Sequence, residues 1–88
     1  MRHARPEALD QLEPLLARVR AITGLKEKSR GVFYRGAKAF LHFHEDPAGL
    51  FADIRTADGR DFERFQVDAA EAREVLARIA EERARSAR

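Results

Sequence analysis

Two histidines one residue apart, in His42-Phe43-His44, run directly into Glu45-Asp46. No other stretch of the chain is as dense in groups that can ligate a metal or move a proton. On a β-strand, residues two apart point to the same side, so both imidazoles can reach one metal ion. Asp53, diagonal to His42 on the next expected strand, offers a carboxylate as a third ligand. His42, His44 and Asp53 are therefore the candidate metal site. The same residues fit a plainer reading: two polar side chains on a partly exposed face, with Glu45-Asp46 opening a turn before Pro47. In either case the histidines make this face sensitive to pH near the reference pKa of ~6.5.

Other chemistries lack their residues. The chain has no cysteine, which excludes a disulfide framework, a thiolate zinc site and a cysteine nucleophile. Ser29 and Ser86 have no nucleophile-elbow context. Gly24, Gly31, Gly36, Gly49 and Gly59 are scattered, each reading as a turn or cap rather than a phosphate-cradling loop. Asp58 belongs to an Asp-Gly turn, and Asp61 and Glu63 read as solvated. We expect no catalytic residue, no enzymatic activity and no cofactor.

The elements that must position these groups follow from periodicity. Leu9, Leu12, Leu16 and Val19 recur at helical spacing. Pro14 is tolerated only in a first turn, so a main helix is expected from about Glu13 to Thr23, with a separate turn over 7–12. Gly31–Arg35 and Lys38–His44 read as a hairpin about a type II′ turn at Gly36-Ala37. Two-residue pairing places Phe33 opposite Phe40 and Val32 opposite Leu41. A third strand, Leu50–Thr56, is expected to pair Phe43 with Leu50, Leu41 with Ala52 and Ala39 with Ile54. Asp58-Gly59 turns into a fourth, Arg60–Val67, with Phe65 and Val67 inward. Asp68 and Glu71 form a capping box for a last helix whose apolar face is Ala72, Val75, Leu76 and Ile79. The fold class is α+β: a three- to four-stranded antiparallel sheet with an N-terminal and a C-terminal helix on one face. One domain over 1–88 is expected, with frayed ends at about 1–6 and 84–88.

That alternation leaves a second sheet face of Phe33, Arg35, Lys38, Phe40, His42, His44, Phe51, Asp53 and Arg55. Three phenylalanines leaving about 300 Å² of apolar surface in water would make covering it worth roughly 7 kcal/mol as an upper bound. Such a patch on a small monomer marks an interface unless the chain covers it itself. The binding face is thus assigned to Phe33, Arg35, Lys38, Phe40, Phe51 and Arg55. The leading expectation is a non-enzymatic interaction module that self-associates as a homodimer or meets a protein partner there. The alternative is single-stranded nucleic acid, with rings on base faces and cations on phosphates, although no ribonucleoprotein motif is present. A His-based metal site is the second alternative.

Charge is uneven along the chain. Arg18 to Lys38 carries seven basic residues and one acid, whereas Glu45 to Glu63 carries six acids and two arginines. Such halves compensate each other within one molecule, or face a partner. The N-terminus lacks the apolar stretch of a secretory signal, and no apolar run approaches the ~20 residues that cross a membrane. A cytoplasmic chain without a membrane partner is expected.

Gly24-Leu25-Lys26-Glu27, followed by Val32-Phe33-Tyr34-Arg35-Gly36-Ala37-Lys38-Ala39-Phe40, resembles the start of MmcQ/YjbR-like small bacterial proteins. The resemblance spans roughly residues 9–56. It implies an α+β fold with a curved antiparallel sheet and a DNA-binding role suggested on fold grounds. This chain is shorter and has no tryptophan, where the family usually carries a Trp-containing C-terminal motif, and no functional residue carries over.

Overall fold

A computed structural model describes residues 2–86. Among them the order is β1 (Arg2–His3), α1 (Pro6–Gln11), α2 (Glu13–Arg20), β2 (Leu25–Ser29), β3 (Val32–Arg35), β4 (Lys38–Asp46), β5 (Gly49–Arg55), β6 (Phe62–Gln66) and α3 (Ala70–Ser86). The class is α+β, with an open antiparallel sheet in the order β2-β3-β4-β5-β6 and β1 added to β4. Among the described residues no helix is long and apolar enough to cross a membrane.

Two of these strands are additional to the expected set. β4 has nine residues and β3 only four, so β4 outruns its neighbour and leaves backbone groups unpaired. Arg2 and His3 take that vacant edge, opposite Glu45 and His44. Ala4 donates its N–H to the Phe43 carbonyl at 3.1 Å, and the Arg5 N–H and Nε both meet Glu45 Oε1 at 3.0 Å. The segment expected to fray from 1 to 6 is therefore pinned over its described part. β2, Leu25-Lys26-Glu27-Lys28-Ser29, forms the outer edge beyond β3. Its exposed lysines suit an edge that must not recruit further strands.

The core joins the helices to one face of the sheet. Leu9, Leu12, Leu16 and Val19, the expected stripe, are all buried with Leu15 against Leu41, Phe43, Leu50, Ala52 and Ile54. Pro14 falls in the first turn of α2. β4 and β5 pair Leu41 with Ile54 and Phe43 with Ala52. This register is two residues from the expected one, so residues 41–44 and 50–55 stay on their expected faces. Val67 is buried and Phe65 packs on the core, also as expected.

The hairpin differs in a way that matters. Arg35 pairs with Lys38 and Tyr34 with Ala39, about Gly36 at φ +60°, but Phe33 then pairs with Leu41 and Val32 with His42. Phe40 is the extra residue of a β-bulge. One extra residue reverses which face the rest of β3 presents. Phe33 is 0% exposed and Phe40 3%, both in the core, whereas Val32 and Tyr34 are half-buried.

α3 is rotated from its expected orientation. Leu76, Ala77, Ala80 and Ala84 are its buried residues, and Val75 is 51% exposed. Asp68, expected as its cap, instead uses its carboxylate to accept the Leu50 N–H and the Gln66 side-chain amide, joining β5 to β6.

Three of the seven basic residues between Arg18 and Lys38 are paired with acids of the same chain. Arg18 binds Glu74 and Glu81, Arg20 binds Glu13 and Glu27, and Arg30 binds Asp10 and Glu13. Hydrogen bonds from Arg20 and Arg30 hold the Glu13 carboxyl at a pKa of about 2.

Candidate metal centre

β4 and β5 place His42 directly opposite Asp53, and His44 opposite Phe51. Alternation turns all four away from the helices. On β6, Arg64 lies opposite Asp53 and Phe62 opposite Arg55, so both extend the same face. His3, paired with His44, brings the third histidine to the same edge of this face.

His42, His44 and Asp53 converge. One ligand atom from each lies within 4.8 Å of the others. His42 Nδ1 is 2.8 Å from His44 Nε2, and His44 Nε2 is 3.2 Å from Asp53 Oδ2. A tetrahedral centre with bonds of about 2.0–2.1 Å separates its ligand atoms by roughly 3.3 Å. The two shortest separations, 2.8 and 3.2 Å, lie at or just inside that spacing. In the neutral imidazoles a single hydrogen at His44 Nε2 has to serve both contacts, whereas a cation at the centre is met by a lone pair from each residue.

The electrostatics keep His42 and Asp53 in ligating form. Asp53 is 7% exposed and is the buried charged residue among those described. Arg64 donates from Nε to Oδ1 at 2.7 Å and from Nη2 to Oδ2 at 2.8 Å. These hydrogen bonds hold the Asp53 carboxyl below its usual pKa against the opposing effect of burial. Burial, and then the neighbouring His44, His3 and Arg55, push the His42 pKa down, with Asp53 acting the other way. At neutral pH the site therefore presents a neutral His42 and an ionised Asp53. Phe62 packs its ring 5.0 Å from that of His42 and is covered in turn by the Arg55 guanidinium, 4.6 Å from the ring centre.

The binding face assigned from the sequence does not form one surface. Phe33 and Phe40 are core residues, which removes the apolar area on which a phenylalanine-mediated homodimer rested. Arg35 shares the side of Phe33 and binds the Ala84 carbonyl of α3. Phe51 and Arg55 do lie on the open face, and Lys38 is exposed at the hairpin end. Arg64, Phe62 and His3 were not singled out from the sequence. Drawing the register through the Asp58-Gly59 turn would have put Arg64 beside Asp53.

No family model matches the chain, and neither a curated protein nor a solved structure matches it.

Proposed function

We propose that this chain is a non-enzymatic binding module whose open sheet face holds a divalent transition metal ion, zinc above all. His42 Nδ1, His44 Nε2 and a carboxylate oxygen of Asp53 are its ligands. Convergence of these three atoms, on rigid neighbouring strands and with Asp53 held ionised by Arg64, is the observation that carries the reading. Two imidazoles and a carboxylate suit zinc, and copper and nickel less selectively, while calcium and magnesium prefer all-oxygen sites. Arg64 acts on the ligand rather than on the metal, fixing the carboxylate's orientation. Three protein ligands leave a fourth position for water or for a group from a partner, so the same site is where an interaction partner would be met.

The test is a zinc titration of the purified chain followed by histidine ring NMR. His42 and His44 resonances should move together and saturate at one equivalent, and the response should vanish in His42→Ala and Asp53→Asn while the amide spectrum stays folded. Unmoved His42 and His44 resonances at millimolar zinc would remove the proposal.

A further inference from the structure

The chain carries one histidine besides His42 and His44. That residue, His3, sits on β1 directly opposite His44. Its neighbour Ala4 is buried in the core with Phe43 and gives its N–H to the Phe43 carbonyl. Alternation therefore turns His3 to the open face, the face of His42, His44 and Asp53. Directly opposed residues of an antiparallel pair hold their Cβ atoms about 4.5–5.5 Å apart. Residues two apart along one strand are separated by nearly 7 Å, at about 3.4 Å per residue. His42 and His44 cross that wider gap and bring their ring nitrogens to 2.8 Å. His3 has the narrower gap to cross.

His3 is exposed, and among the described residues its ring makes no hydrogen bond or ion pair. No bond has to break before it changes rotamer. It already stands near enough to His42 for its charge to act on that residue. Phe62 packs on His42 and Arg64 grips Asp53, both from the β6 side of the cluster. The β1 side is the one from which His3 approaches. β1 itself is lightly held. Beyond its two paired residues, its ties are the Ala4 N–H and the contacts of Arg5 with Glu45. The Arg5 side chain is exposed, and an exposed ion pair contributes little.

We infer that His3 is the fourth protein ligand of the His42–His44–Asp53 centre, so that a bound metal ion ties β1 to β4 and β5. The inference rests on the three-ligand reading above. Three imidazoles and one carboxylate make a four-coordinate centre of the kind that serves structure. A partner's donor group then enters by displacing His3, the ligand carried on β1 rather than on the central strands. The measurement is a zinc titration of the purified chain, followed through the ring nitrogens of all three histidines and through hydrogen exchange of the Ala4 amide. The His3 ring should shift in step with His42 and His44 and saturate with them at one equivalent. Zinc should also slow exchange of the Ala4 N–H. In His3→Ala, an exposed change that leaves the core intact, His42 and His44 should still respond. Its zinc affinity should fall by at least the tenfold that loss of an outer-shell partner costs, and zinc should no longer slow Ala4 exchange. Shifts at His42 and His44 with an unmoved His3 ring, and equal affinity in His3→Ala, would overturn this inference and leave the three-ligand site standing. Zinc that moves none of the three rings would remove both.

Discussion

Arg64 grips Asp53 with a two-pronged pair of hydrogen bonds from the neighbouring strand, one to each carboxylate oxygen. A buried carboxylate is tolerable only when its lone pairs are met. Here the clamp also turns Oδ2 toward His44, so the residue that stabilises the charge also aims the ligand.

Replacing Arg64 with Met should leave Asp53 buried without its main partner. The Asp53 pKa should then rise and stability should fall, by an amount reduced by solvent screening because Arg64 is half exposed. Urea unfolding of Arg64→Met, Asp53→Asn and the double variant measures the coupling. Strictly additive losses would mean that the clamp contributes nothing to folding.

The pH dependence has a definite sign. His42 has a folded pKa below its usual 6.5, chiefly because it is buried. The unfolded chain therefore takes up a proton there before the folded chain does. Stability from this source is whole above pH 6.5 and declines as the pH falls from 6.5 through the lower folded value. Asp53 adds a second loss, beginning only below its usual 3.8. Urea midpoints at pH 8, 6.5 and 5 should show the first decline in the natural chain and a smaller one in His42→Gln. A midpoint constant from pH 8 to 5 would contradict this.

The bulge at Phe40 makes a prediction that separates the two aromatic populations. Phe33→Ala removes a fully buried ring and should cost about 3–5 kcal/mol. Phe51→Ala, on a half-buried side chain of the open face, should cost clearly less. Denaturation midpoints check the order, and a reversal would restore the unbulged hairpin.

Along β4 and β5, alternation alone sorts Leu41, Phe43, Ala52 and Ile54 from His42, His44, Asp53 and Arg55. A register shift of two residues preserves parity, so His42, His44 and Asp53 share a face in either alignment. β3 was misassigned because a bulge changes parity by one, and Phe40 carries no local signal for a bulge: nothing in an aromatic side chain demands it. β1 was illegible for a different reason. Arg2 and His3 have no apolar pattern, and they pair because β4 overhangs β3, a difference in strand length that appears only after folding. On α3 the buried residues are Leu76 and three alanines, Ala77, Ala80 and Ala84, and alanine is too weakly apolar to mark a helix face by itself.

Gly49 offers the sharpest local test of how β5 is anchored. Its φ is +140°, a conformation that side-chain-bearing residues rarely adopt. A Cβ there would lie 2.3 Å from Asp68 Oδ2 and 2.8 Å from Gln66 Nε2. Those two groups are bonded to each other at 2.7 Å, and Asp68 also receives the Leu50 N–H. Gly49→Ala must both strain the backbone and push this clasp aside, at a combined cost of about 1–3 kcal/mol. Asp68→Ala alone should cost about 1 kcal/mol through the orphaned Leu50 N–H. In the double variant the obstructing carboxylate is gone, so its loss should be smaller than the two single losses together. Unfolding midpoints of the three variants decide it: full additivity would mean that the new methyl never meets Asp68, and an unchanged Gly49→Ala midpoint would show that neither the backbone strain nor the clasp is felt.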